Sequence, residues 1–138
     1  MPEDYKAPLP RPTPESRPFW DGCKQHEVRL QRCRDCGEAY FYPRNVCPRC
    51  LSANVEWFRA SGHGKVHTFS VVYAGGRNPP LELPFVLAVI ELDEGVRVMS
   101  NLVGVPADPE QIRCDMVSTR SLERSATSAG TRTSGRPW

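Results

Sequence analysis

The stretch Cys33-Arg34-Asp35-Cys36-Gly37, answered across the ten residues between Cys36 and Cys47 by Cys47-Pro48-Arg49-Cys50, decides how the rest of the chain is read. Each C-x-x-C turn lets two sulfurs converge on one point, and two such turns supply the corners of a tetrahedron. Zn²⁺ suits four thiolates because it is d¹⁰, borderline-soft and binds sulfur at about 2.3 Å. Gly37 falls where a knuckle needs positive φ, and Pro43 and Pro48 fit a loop and a knuckle. The expected metal ligands are Cys33, Cys36, Cys47 and Cys50, holding a structural zinc. Iron is the alternative metal, and a pair of disulfides is the bland reading. A catalytic zinc is disfavoured, because four cysteines leave no coordination position for water.

Working outward, 138 residues suffice for one medium domain or two very small ones. A metal knuckle replaces core where core is scarce. The net charge of +2 is unevenly spread. Residues 113–138 hold five Arg against one Asp and one Glu, which leaves the first 112 residues at about −1. A nucleic-acid binder usually shows a basic face, and by count this body has none. No apolar run approaches the roughly 18 residues needed to span a bilayer, and the N-terminus lacks a basic-then-apolar signal pattern. Metal-binding use of cysteine points to a reducing compartment, hence the cytoplasm.

Before the cysteines, residues 1–12 carry Pro2, Pro8, Pro10 and Pro12 and read as an extended arm. Thr13-Pro14-Glu15 looks like a helix start, with Thr13 as N-cap; Pro18 favours a later start at Ser16. The helix should run to about Gln25. Phe19 and Trp20 are adjacent and cannot share one helix face. Either one packs on the ribbon and the other is half exposed, or the pair forms an apolar docking surface. Glu27–Arg32 alternates with period two as a strand entering the first knuckle, and Ala39–Tyr42 leaves it as a second. Arg29, Arg32, Arg34, Arg44 and Arg49 surround this hairpin. They either balance the formal −2 of a Zn(Cys)₄ centre or meet an anionic ligand or partner.

After the cysteines, Val55–Arg59 reads as a third strand. The glycine-rich turn Ser61–Gly64 opens the long strand Lys65–Tyr73, with Val66, Thr68, Ser70 and Val72 on one face and His67, Phe69, Val71 and Tyr73 on the other. Strand-favouring residues on both faces suit a curved barrel strand. The Ala74–Pro84 loop is long for a hairpin, and such loops often carry function. Phe85–Leu92 is a near-continuous apolar run, hence a buried strand. Asp93-Glu94-Gly95 turns it back into Val96–Val103. The fold class is mainly β: arm and short helix at 1–26, zinc ribbon at 27–59, small antiparallel OB-like barrel at 60–116, tail at 117–138. An SH3-like barrel fits the same pattern.

Several stretches taken together carry a resemblance. They are Pro18-Phe19-Trp20, Leu30-Gln31-Arg32-Cys33-x-x-Cys36-Gly37, Phe41-x-Pro43-Arg44-x-x-Cys47-Pro48-x-Cys50, Ser61-Gly62-x-Gly64-x-Val66, Phe69-x-Val71-Val72, Pro84-Phe85-Val86-x-Ala88 and Glu91-Leu92-Asp93-Glu94-Gly95. In this order, over roughly residues 13–115, the chain resembles the zinc-ribbon/OB-fold family known as domain-of-unknown-function 35. The resemblance implies a helical N-terminus, a rubredoxin-like zinc ribbon and a C-terminal OB barrel. It implies a small partner of thiolase-like condensing or retro-aldol enzymes, or of hydratases acting on CoA thioesters. Such proteins serve sterol side-chain breakdown, archaeal isoprenoid synthesis or acyl transfer to aromatic compounds. The partner carries the chemistry, and the small subunit supports assembly and acyl-CoA handling. The chain departs from the family near its end, where an apolar closing strand would stand. Ser118-Thr119-Arg120-Ser121 and the Ser/Thr/Arg/Gly run to Trp138 resist packing. They predict either a tail without fixed structure or a shifted reading frame.

Independent catalysis has little support in the residues. His26, His63 and His67 are the histidines, and Cys23 and Cys114 the thiols outside the knuckles. A packed or idle role suits both thiols better than a nucleophile–base pair. There is no Gly-x-Ser-x-Gly and no phosphate loop. The expected function is an accessory subunit of a thiolase-like enzyme, with Phe19, Trp20, Tyr73 and Phe85 as candidate contacts to partner or acyl chain. The alternative is a nucleic-acid-binding ribbon/OB module, which the acidic body disfavours.

Overall fold

The computed structural model describes residues 10–77, 82–122 and 129–132. Most of the proline arm therefore lies outside the described residues. A turn at Thr13 comes first, with Ser16 and Arg17 donating to the Thr13 carbonyl at 3.1 and 2.9 Å. Helix α1 (Arg17–Lys24) follows with Ser16 as its N-cap and Pro18 in the first turn, so it starts at the later of the two positions considered. It ends in a Schellman motif: Glu27 N–H reaches the Gly22 carbonyl, His26 N–H reaches that of Cys23, and His26 takes φ 59°. The end falls at the expected place, with histidine instead of glycine in the left-handed position.

The ribbon sheet has the order β2–β1–β3, from β1 (Arg29–Cys33), β2 (Ala39–Tyr40) and β3 (Val55–Arg59). β1 is central and antiparallel to both neighbours. β2 is shorter than expected because the chain leaves the ladder at Phe41 to pack on the helix. Phe19 and Phe41 ring centroids lie 5.2 Å apart.

Five strands then close a barrel in the order β4–β5–β6–β8–β7: β4 (His63–Val72), β5 (Phe85–Leu92), β6 (Arg97–Val103), β7 (Val117–Leu122) and β8 (Ala129–Arg132). All neighbours are antiparallel except β6 and β8, which run parallel. This is the Greek-key order of an OB fold, the barrel expected from the sequence, with one parallel pair among its antiparallel ladders. β5 alternates strictly, with Val86, Ala88, Ile90 and Leu92 buried and Phe85, Leu87 and Val89 half-buried. Its apolar run therefore serves two faces instead of lying wholly inside. β4 also differs from expectation. A bulge between Val66 and Thr68 flips the phase at His67. Val66 is buried, Thr68 and Ser70 are exposed, and Phe69 and Val71 pack against the core. Gly64 is fixed by a close approach: a Cβ there would stand 2.5 Å from the Glu91 carbonyl oxygen.

The segment expected to be a tail supplies β7 and β8. Pairing is a backbone property, and the open edges of β4 and β6 offer ladders that Ser, Thr and Gly can fill. Ser118 is fully buried, with its hydroxyl 3.2 Å from the Gly64 carbonyl. Val66 N–H donates to Met116, and Asp115 N–H to Val66. Residues 123–128 and 133–138 lie outside the described residues.

Ribbon and barrel share one apolar cluster. Val28, Leu30 and Ala60 join Val66, Val86, Ile90, Leu102 and Ile112, with Phe41 and Phe58 packed alongside. Each fully buried aliphatic side chain contributes roughly 1.5–3 kcal/mol.

Candidate metal centre

Two knuckles of the same design bring four sulfurs together. In the first, Gly37 N–H donates to the Cys33 carbonyl and Cys33 N–H to Glu38, both at 2.9 Å. In the second, Leu51 N–H donates to Cys47 at 3.0 Å and Cys47 N–H to Ser52 at 2.8 Å. Both turns pass through positive φ, 75° at Gly37 and 62° at Leu51. The sequence marked the first with glycine and left the second unmarked.

The sulfur atoms of Cys33, Cys36, Cys47 and Cys50 all lie within 4.8 Å of one another. Cys33 to Cys50 is 3.5 Å and Cys36 to Cys47 is 3.6 Å. A tetrahedron with metal–sulfur bonds of about 2.3 Å has edges near 3.8 Å, so the donor set fits a metal ion. None of the four is in a disulfide. Cys33 and Cys47 are buried, while Cys36 and Cys50 are exposed. The thiols compete for protons as a group. Backbone N–H groups of Cys50 and Arg49 draw Cys47 down to about 7, against the effect of burial. Ser52 N–H pulls Cys50 the same way, but contact with Cys33, burial, and Cys36 and Cys47 push it up to about 12.

The supports of this cluster escaped the sequence reading. Gln31 and Tyr40 are cross-strand partners in β1 and β2. Buried Gln31 accepts from Arg44 N–H at 2.7 Å, and the Tyr40 hydroxyl donates to the Arg44 carbonyl at 3.0 Å. The pair thus holds both polar groups of one residue on the approach to Cys47. A glutamine between Leu30 and Arg32 in a buried strand was the available signal, because a buried amide needs a partner. Asp35 ties the knuckles together by accepting from the Ser52 hydroxyl and from Asn54 Nδ2. Those bonds hold its carboxyl below the usual range.

Most ribbon arginines are neutralised locally. Arg29 pairs with Glu27 at 3.0 Å, Arg34 with Glu56 at 2.9 Å and Arg49 with Glu38 at 2.7 Å. Arg32 lies over the Phe58 ring at 4.2 Å. Arg44 has no carboxylate partner among the described residues.

Of the four candidate contacts, Phe19 and Trp20 share helix α1, Tyr73 follows β4 and Phe85 opens β5. Phe19 is buried against Phe41, and Trp20 stands half-buried edge-on to it at 5.2 Å, the arrangement in which one of the pair packs on the ribbon and the other stays half exposed. Tyr73 is exposed at the end of β4, and Phe85 is half-buried at the start of β5, opposite Val72. A cavity of about 40 Å³ lies where helix, ribbon and barrel meet, lined by Phe19, Leu30, Phe41, Ile90 and Leu92 with Met99 among the lining residues. It has room for a group or two the size of water, not for an acyl chain. His67 is exposed on the bulge, 3.9 Å from Glu91, which Arg97 approaches at 3.2 Å. Among the described residues no helix is long and apolar enough to cross a membrane.

Comparison with known proteins agrees with this architecture. Residues 20–56 match "ChsH2, rubredoxin-like zinc ribbon domain", and residues 57–117 match "ChsH2, C-terminal OB-fold domain". A DUF35 domain-containing scaffold protein of Methanocaldococcus jannaschii is 38% identical over 62% of this chain and 60% of its own length. The alpha subunit of a 3-oxo-4,17-pregnadiene-20-carboxyl-CoA hydratase of Mycobacterium tuberculosis is 39% identical over 71% of this chain but only 30% of its own. The benzoylsuccinyl-CoA thiolase subunit BbsA of Geobacter metallireducens is 34% identical over 61% and 53%. The chain thus spans between about a third and three fifths of these relatives. Among solved structures, a chain of an Ltp2-ChsH2(DUF35) aldolase superposes with a TM-score of 0.77 and 29% identity, covering 91% of this chain and 99% of that one. By its matched residues and its shared architecture, the chain belongs to the DUF35 family of proteins that join a rubredoxin-like zinc ribbon to an OB-fold barrel.

Proposed function

We propose that this chain is a non-catalytic accessory subunit of a thiolase-like enzyme that condenses or cleaves acyl-CoA compounds by thiolase or retro-aldol chemistry. The observation that carries the reading is the likeness to the aldolase chain, which this chain covers almost completely. The thiolase-subunit and scaffold relatives point the same way. Cys33, Cys36, Cys47 and Cys50 hold one structural Zn²⁺, which supplies stability and no chemistry because four thiolates fill its coordination sphere. Reduced thiols at this site suit the cytoplasm. An acyl-CoA pocket is expected to form jointly with the partner, since the junction cavity is too small for an acyl chain. Trp20, Tyr73 and Phe85 remain contact candidates, and the acyl group belongs to lipid or sterol breakdown or to acyl transfer.

The test is to combine the purified chain with a purified thiolase-like subunit from the same organism. Co-elution and a rise in that subunit's activity are expected, at moderate and at high salt. A subunit that is fully active alone and never co-elutes overturns the reading. Nucleic-acid affinity falling steeply with salt would favour the binding-module alternative.

A further inference from the structure

The two knuckles are internal controls for one another, and they differ in one respect. The same hydrogen-bonded turn passes through Gly37 in the first and Leu51 in the second. Leucine at positive φ is strained where glycine is not. Burial does not compensate, because Leu51 is 75% exposed. Its side chain therefore does nothing for the isolated chain that glycine would not do better.

Leu51 also has company. Tyr42 is 61% exposed and Val46 43%, so the second knuckle and its lead-in loop carry three of the six exposed large hydrophobics among the described residues. Arg44 lies between them in sequence, exposed and without a carboxylate partner among the described residues, whereas Arg29, Arg34, Arg49 and Arg59 are each ion-paired. Its backbone is clamped on both sides by Gln31 and Tyr40. A rigid base presenting an aromatic, an arginine and two aliphatic side chains has the composition of an interface anchor. Little ordering entropy opposes its binding.

We propose that the second knuckle, through Tyr42, Arg44, Val46 and Leu51, is where this chain docks onto the thiolase-like subunit. It enters an apolar groove that has a carboxylate at its rim. The apolar groups match the groove, and the unpaired guanidinium calls for the carboxylate. This rests on the accessory-subunit reading and adds the surface to it.

The experiment uses the full chain and the purified thiolase-like subunit, with association measured by titration calorimetry and zinc by elemental analysis. Leu51→Gly should raise the melting temperature of the isolated chain and weaken association at least tenfold. Arg44→Glu should also weaken association at least tenfold, with one zinc retained. A purely structural knuckle gives the opposite pattern, in which both variants bind within twofold of the wild type. That result overturns the docking surface and leaves the accessory reading standing. Absence of association by the wild type overturns both.

Discussion

The ribbon and the barrel solve the same problem by different means. The barrel closes five strands around Val66, Val86, Ala88, Ile90, Leu92 and Leu102, and its buried apolar surface suffices to order polar strands at the end of the chain. The ribbon sheet has three short strands, the shortest of two residues. Its buried residues beyond the cysteines are few: Val28, Leu30, Gln31 and Tyr40. A metal ion must replace the missing core there. One half is thus held by many weak contacts and the other by a few strong ones. The halves should fail in different ways.

The largest effect is expected from Cys47→Ser. Metal affinity is part of the folding free energy of such modules, apparently ~10–16 kcal/mol in finger peptides. The variant should lose its zinc and the amide protection of residues 29–59, while slow-exchanging amides persist in β5. Zinc content measures the first and hydrogen exchange the second. One full zinc retained in Cys33→Ser/Cys47→Ser would show that the thiolates are not its ligands. Concerted loss of β5 protection would show that the shared cluster at Val28, Leu30 and Ala60 makes the halves a single folding unit.

Ile90→Ala attacks the comparison from the other side. Ile90 is 1% exposed at the centre of β5, and truncation there should cost about 2–5 kcal/mol by transfer and cavity terms. Denaturant unfolding should report that loss with one zinc still bound. A loss below 1 kcal/mol would mean that the barrel is not the apolar-held half.

The same contrast explains what could be read in advance. The metal cluster was legible because cysteine spacing maps directly onto ligand geometry, and β5 was legible because its hydrophobic run is long. The bulge at His67 was not, since nothing in Val66-His67-Thr68 distinguishes a continuous ladder from one with an inserted residue. Composition misled most at 117–122 and 129–132, where polar residues such as Ser118 resist packing by themselves yet complete a barrel whose open edges need partners. The Gln31–Arg44–Tyr40 clamp depends on a register that pairs Gln31 with Tyr40, and only the folded ribbon displays that.

Acid should separate the halves more gently. Asp35 staples the knuckles through Ser52 and Asn54, and its carboxyl titrates below the ordinary value of about 3.9. A carboxylate with a depressed folded pKa gives stability that is complete above the unfolded value and fades as pH falls through the folded one. Wild type should therefore lose its advantage over Asp35→Asn below about pH 4, while the two differ at neutral pH. The readout is the pH dependence of unfolding by urea with zinc in excess. An unchanged gap between the two curves down to pH 3 would show that the staple contributes nothing through its charge.

The smallest effect lies inside the ribbon, at the two positions where the knuckles differ. Left-handed backbone costs an L-residue roughly 1–2 kcal/mol, while glycine gives back some 0.5–1 kcal/mol through the freer unfolded chain. Leu51→Gly should therefore stabilise by up to about 1 kcal/mol, and Gly37→Ala should destabilise by a similar amount. Neither position is crowded in a way that would mask the sign: a Cβ at Gly37 meets nothing within 4 Å, and Leu51 is already exposed. Paired thermal melts of the zinc-loaded variants measure both. Opposite signs would confirm that the two knuckles are one backbone design carrying two different side chains. If Leu51→Gly destabilised the isolated chain as well, the leucine would have a structural partner within the ribbon, and its exposure would no longer call for a partner outside it.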